Sequence, residues 1–150
     1  MSESPPATRL GVTVTVAPLG DVRGSIATLL GQSLHDLLTM FYPPAVGKKA
    51  NVAVTELVQN VIQNVLDADS ELGLDLRVDD AVLVVRVRNK ATPDQYEAVR
   101  ARVDALAASV APKHLFTETL RKRRADRLKG GLGLMRLVAE NRFRLAVSYE

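Results

Sequence analysis

Between Asp21 and Leu66 the chain repeats apolar residues at three- and four-residue steps, and Pro43-Pro44 interrupts the repeat near its middle. Two consecutive amphipathic helices are therefore expected. The first, from Asp21 to Phe41, places Val22, Ile26, Leu29, Leu30, Leu34, Leu37 and Leu38 on its buried face. The second, from about Ala45 to Leu66, places Ala53, Val54, Leu57, Val58, Val61, Ile62, Val65 and Leu66 there. Two adjacent apolar stripes need a common surface to cover them, and the flanking sequence supplies it by changing its period to 2. Val12, Val14 and Val16 alternate with Thr13 and Thr15 ahead of the helices. After Gly73, Leu74, Leu76 and Val78 alternate with Asp75 and Arg77, and Leu83, Val85 and Val87 follow the Asp79-Asp80 turn, which predicts two antiparallel strands.

The remaining third continues the pattern. Thr92-Pro93-Asp94-Gln95 combines a threonine cap, proline at the first helical position and glutamine placed for a capping box. The helix it opens buries Tyr96, Val99, Val103 and Leu106 and ends before Pro112. A shorter helical stretch from Leu115 to Leu128 leads into a glycine-rich turn, helical spacing resumes to Val138, and Phe143, Leu145, Val147 and Tyr149 alternate as a closing strand. This order predicts an α+β two-layer sandwich, a mostly antiparallel mixed sheet with helices packed on one face. A length of 150 residues suits one domain over 11–150, preceded by a disordered tail over 1–10 that is rich in serine, proline and polar residues.

Composition removes several classes of function. With no cysteine there is no disulfide framework, no thiolate metal site and no cysteine nucleophile. The longest strictly apolar run, Ala81 to Val85, is far below the roughly 20 residues of a membrane span, and the first residues lack a basic-then-apolar leader pattern. A soluble, cytoplasmic protein is expected. A net charge of +3 is too small to mark a polyanion binder unless it is clustered.

Two segments carry chemistry. Glu56, Asn60 and Asn64 recur every four residues in the second helix, and positions four apart drift by only about 40°, so they form one stripe at the edge of the apolar arc. Amides encroaching on a core face need partners, and an asparagine carbonyl is a neutral hard ligand suited to Mg²⁺. A carboxylate one turn earlier can accept a proton from a nucleophile. The second segment, Lys129-Gly130-Gly131-Leu132-Gly133-Leu134, stands immediately before an apolar helix. Glycines there permit close backbone approach, and a helix start offers unpaired N–H groups to phosphate. It is neither a Walker A loop nor a dinucleotide fingerprint, since Gly-Lys-Ser/Thr is absent and no strand precedes it.

Taken with the order of elements, these segments resemble the histidine-kinase-like ATPase superfamily, the Bergerat fold shared by gyrase, Hsp90, sensor kinases and anti-sigma-factor serine kinases. Glu56, Asn60 and Asn64 look like its N box, and Lys129 to Leu134 like its second glycine box. The resemblance implies ATP and Mg²⁺ as cofactors. It assigns proton transfer to Glu56, Mg²⁺ to Asn60, and nucleotide phosphates to the turn of Lys129, Gly130, Gly131, Leu132, Gly133 and Leu134. Asn64 becomes a further pocket residue. Where the family has Asp-x-Gly-x-Gly after the central strand, this chain has Asn89-Lys90-Ala91-Thr92-Pro93. Asn89 can accept the adenine amino hydrogen bond through its carbonyl, without charge, and both glycines are replaced. The short domain, this asparagine and the late Lys-Gly-Gly-x-Gly-Leu are most similar to the SiaB-like small bacterial protein kinases. That similarity implies transfer of phosphate to a serine or threonine of a small regulatory protein, in a signalling role, with homodimerisation by analogy. A module that keeps the fold and sequesters a partner without turnover is the alternative.

Other candidates are plainer. Arg121, Lys122, Arg123, Arg124, Arg127 and Lys129 form a basic run opposed by Asp126, a solvated helix face or, in the ATPase reading, part of a lid before the glycines. Aromatic residues make up 4% of the chain and none interrupts that run, which argues against nucleic acid. His35 and His114 lack paired zinc spacing, and Ser25, Ser33, Ser109 and Ser148 lack a nucleophile-elbow context.

Overall fold

The computed structural model describes residues 9–22, 24–80, 82–109, 111–115, 117–118, 121 and 133–150. The chain divides into two compact units, Met1–Lys90 and Ala91–Glu150. The tail expected over 1–10 lies outside the described residues as far as 8, and Leu10 already belongs to the first strand.

In the first unit β1 (Leu10–Val16) leads through a 3₁₀ turn (Leu19–Asp21) to α1 (Ile26–Thr39) and α2 (Pro44–Gln63), followed by β2 (Leu72–Asp79) and β3 (Val82–Asn89). The strands form an antiparallel sheet in the order β1-β2-β3, with Val12 opposite Leu76 and Leu76 opposite Val85. Because side chains alternate along a strand, that register gathers Leu72, Leu74, Leu76 and Val78 on one face. There they join Leu34 and Leu38 of α1 and Val54, Val58 and Val61 of α2 in one core. The expected α+β arrangement, helices over one face of the sheet, is present, and all the pairing among the described residues is antiparallel.

The ends of these helices differ from expectation for local reasons. Gly24 has φ 73°, a left-handed value that no α-helix passes through, so α1 starts at Ile26 rather than Asp21. α2 starts at Pro44, where proline's missing N–H costs nothing, and stops at Gln63, three residues before Leu66. Asn64 leaves the helical region there, with φ −119° and ψ 22°, and its Nδ2 donates to the Asn60 carbonyl at 2.7 Å. That bond satisfies one of the carbonyls a helix end leaves open. The two helices approach closely where Gly47 lies against α1: a Cβ there would fall 3.0 Å from the His35 carbonyl oxygen.

In the second unit the predicted capping box is present. Thr92 Oγ1 accepts from Gln95 N at 3.2 Å and Thr92 N donates to Gln95 Oε1 at 3.0 Å, opening α3 (Pro93–Ala108). Residues 112–115 are helical, and α4 spans Gly133–Ala139. Val103 and Leu106 of α3 and Leu134, Leu137 and Ala139 of α4 are buried. The closing strand is a correction. Phe143, Leu145 and Val147 still alternate in exposure with Arg144, Ala146 and Ser148, yet residues 142–150 join no ladder. A strand needs a neighbour for its backbone groups, and this unit has no other strand among its described residues. Tyr149 is held instead by its ring, stacked on Tyr96 at 5.0 Å, and by its hydroxyl, which donates to the Ala91 carbonyl at 3.1 Å.

Candidate functional site

α2 positions the first group of predicted residues. Asn51 and Thr55 lie on the side that meets Gly31 of α1, and Thr55 Oγ1 donates to Asn51 Oδ1 at 3.1 Å. Glu56 and Asn60 are each five residues further on, which turns them about 140° around the helix. They therefore occupy the flank of α2 away from α1, next to buried Ala53, and both are half-buried. Glu56 is engaged with a neighbour. The Asn60 carboxamide forms no hydrogen bond among the described residues, while its main-chain carbonyl is taken by Asn64. A half-buried amide oxygen without an internal partner, one turn from a carboxylate, is a chemically suitable single ligand for Mg²⁺ that also takes phosphate oxygens and water. Among the described residues no three His, Asp or Glu side chains converge as a metal cage. Asn64 is exposed, and part of its amide closes the helix.

Asn89 is the last residue of β3 and lines an open cleft of about 510 Å³ within the first unit. The far wall is the loop from Asp67 to Glu71, and its shape follows from its sequence. Asp67 Oδ1 accepts from Asp69 N at 3.1 Å and from Ser70 Oγ at 3.2 Å, the self-bonding turn that aspartate favours. Leu19 N then donates to the Ser70 carbonyl at 2.8 Å and Gly20 N to the Ala68 carbonyl at 2.9 Å. Glycine is required at 20, since a Cβ would stand 2.6 Å from that of Ala68. On the β3 side the Arg88 guanidinium lies over Gly73, reaching Asp75 at 3.7 Å, and Lys90 reaches Asp67 at 3.7 Å. Asn89 Nδ2 donates to the Lys90 carbonyl at 3.2 Å, and its Oδ1 is not engaged among the described residues.

The predicted residues are thus found in separate settings. Glu56 and Asn60 lie on α2 and Asn64 caps its end, and none of the three is among the residues lining the Asn89 cleft. Lys129, Gly130, Gly131 and Leu132 lie outside the described residues, as does the basic run after Arg121. Gly133, half-buried, and Leu134, buried, open α4 in the second unit. His35 is a packing residue against Gly47. Sequence reasoning missed the Asp67–Glu71 wall of the cleft. Its Asp-Ala-Asp-Ser composition was a turn signal, but only its attachment to Leu19 and Gly20 makes it a wall.

No described helix is long and apolar enough to cross a membrane. Comparison of the chain with protein-family models, with curated proteins and with solved structures gave no match.

Proposed function

We propose that this chain is a cytoplasmic regulatory domain of the histidine-kinase-like ATPase kind, binding ATP with Mg²⁺ and transferring the γ-phosphoryl group to a serine or threonine of a small partner protein. The observation that carries the reading is the pair on α2. Glu56 and Asn60 sit one turn apart, half-buried, on the flank away from α1, and the Asn60 carboxamide has no hydrogen-bond partner among the described residues. An α1-α2 pair over an antiparallel sheet, with an asparagine at the end of β3 whose Oδ1 is not engaged among the described residues, supports the same reading. Asn60 would hold the metal, which supplies charge neutralisation across the phosphates when bound. Glu56 orients the incoming hydroxyl and takes its proton, and Asn89 accepts from the adenine amino group. The backbone of Lys129 to Leu134 would take the phosphate oxygens.

A second reading has its own observation. Three residues after Asn89 the chain is already at the Thr92 cap of α3, with Pro93 in the first turn, so a helix start stands where the family has its first glycine loop. A module that binds its partner without turning over nucleotide accounts for that replacement. Calorimetric titration with ATP in the presence and absence of Mg²⁺ separates the two. The first reading expects Mg²⁺-dependent binding that Asn60→Ala abolishes with the circular dichroism unchanged, and expects Glu56→Gln to bind nucleotide but not transfer phosphate. Absence of any heat at millimolar ATP would overturn it and leave the second.

A further inference from the structure

In the first unit α1 and α2 cover one face of the sheet, and the other face carries charge. Leu72, Leu74, Leu76 and Val78 of β2 turn to the core, so the strand period sets Gly73, Asp75, Arg77 and Asp79 on the opposite side. The register adds Thr13 of β1 and Val82, Val84, Arg86 and Arg88 of β3. Val82 and Val84 are 59% and 48% exposed, and Arg77 and Arg86 are exposed beside them. A Cβ on Gly11, next to Arg77, would meet nothing within 4 Å, which leaves the surface low there. The ion pairs on this face are unevenly shared. Both oxygens of Asp75 are engaged, Oδ1 accepting from Thr13 Oγ1 at 2.8 Å and Oδ2 lying 3.7 Å from Arg88. Asp79 is held by Arg9 at 3.3 Å. Arg86 stands directly opposite Asp75, yet neither it nor Arg77 has an ion pair or hydrogen bond from its side chain among the described residues.

We propose that this face docks an extended segment of a partner protein that presents an aliphatic side chain and two carboxylates at successive alternate positions. Charge selects the acidic occupant. The carboxylates of the face are already taken by Arg88 and Arg9, and a guanidinium left without one accepts a planar carboxylate through two parallel hydrogen bonds. Spacing selects the extended form. Arg77 lies opposite Val84 and Arg86 two residues beyond it, diagonal neighbours about 7–8 Å apart, while alternate side chains of an extended segment repeat at about 6.6–6.8 Å. A segment running along β3 thus sets its aliphatic residue on Val82, one carboxylate at Arg77 beside Val84, and the next at Arg86. The acidic stretch ends there, because Asp69 and Glu71 border Arg88 in the cleft and repel a third carboxylate. Sheets that bind single-stranded nucleic acid stack its bases on aromatic rings, and this face has none. A bilayer is entered by protruding apolar groups, and these two valines are shorter than the arginines around them. The surface lies on the face opposite α1 and α2, so it involves neither Glu56 and Asn60 nor nucleotide.

Selection of random linear peptides displayed on phage against the immobilised full chain tests the assignment. Enriched sequences should carry acidic residues two positions apart, with an aliphatic residue two positions to one side. A fluorescein-labelled peptide of that sequence should bind in an anisotropy titration and weaken with added salt. Its affinity should fall on the order of tenfold with Arg77→Glu and again with Arg86→Glu. Exchanging its acidic residues for lysine should abolish binding to the parent and restore it to the doubly substituted chain. Arg102→Glu, an exposed change of equal charge on α3, should leave the affinity unchanged. If charge reversal alters the circular dichroism, Arg77→Gln and Arg86→Gln carry the same test. Enrichment of peptides without acidic residues, or of none, overturns the proposal. So does a peptide that binds the doubly substituted chain as well as the parent, or one weakened equally by Arg102→Glu. Binding of oligodeoxythymidylate or phosphatidylserine vesicles that depends on Arg77 and Arg86, with no peptide bound, overturns the choice of a protein partner.

Discussion

The two units bury apolar surface by different means. Of the largest fully buried side chains among the described residues, Leu38, Val54, Val58, Leu72, Leu74 and Leu76 lie in the first unit, and Leu137 alone in the second. The first unit draws those side chains from three elements, α1, α2 and β2, so its core exists only when all three are assembled. The second relies on fewer fully buried side chains: a capping box, a tyrosine stack that ties Tyr96 to Tyr149, and a few buried residues of α3 and α4. The cooperative core is therefore the surface on which α2 holds Glu56 and Asn60 in place. The second unit, with fewer fully buried side chains among its described residues, is the one expected to open locally.

The largest test of that contrast is Leu76→Ala. Leu76 is fully buried in the central strand, and its truncation should cost about 2–5 kcal/mol in chemical denaturation, the range for large-to-small changes in a core. Amide exchange should speed up across β1, β2, β3, α1 and α2 together. Equal deprotection of α3 would break the comparison, since it would mean that one cooperative unit spans the chain. Thr92→Ala should cost about 1 kcal/mol, the usual loss for a threonine cap, with faster exchange confined to the first turns of α3. If that variant deprotects β2 as well, the local character assigned to the second unit is wrong.

The same division explains what could be read from the sequence. Elements whose period was carried by many residues, such as β1, α1, α2 and the β2-β3 hairpin, were legible because burial of a whole face dictates them. The α3 start was legible because its capping chemistry is complete within four residues. The Phe143–Tyr149 alternation was misread as a strand, since period 2 states which side chains turn inward and not whether a neighbouring edge is there to pair with. At the site, the Glu56-Asn60 stripe followed from helix geometry alone. The role of Asn64 did not, because the sequence does not show that α2 ends one residue earlier. Nor did the cleft at Asn89, whose far wall is fixed by two backbone hydrogen bonds from a turn some fifty residues away.

The smallest effect sharpens the contrast from the surface. Asp36, exposed on α1, accepts hydrogen bonds from His35 Nδ1 at 3.1 Å and Gln32 Nε2 at 2.8 Å, and these, the histidine first, hold its carboxyl below the ordinary value of 3.8. A carboxylate with a folded-state pKa below its unfolded one adds stability that is whole above about 3.8 and disappears as pH falls through the folded value. Asp36→Asn should therefore lie slightly below the parent in denaturation midpoint at neutral pH, and the gap should narrow as pH falls below 3.8. The Leu76→Ala deficit has no titrating group behind it and should persist over the same range. A gap for Asp36→Asn that stays constant as the carboxylate protonates would show that shape rather than charge is lost at position 36. A Leu76→Ala deficit that shrank with it would mean that the core of the first unit loosens before its surface carboxylates protonate.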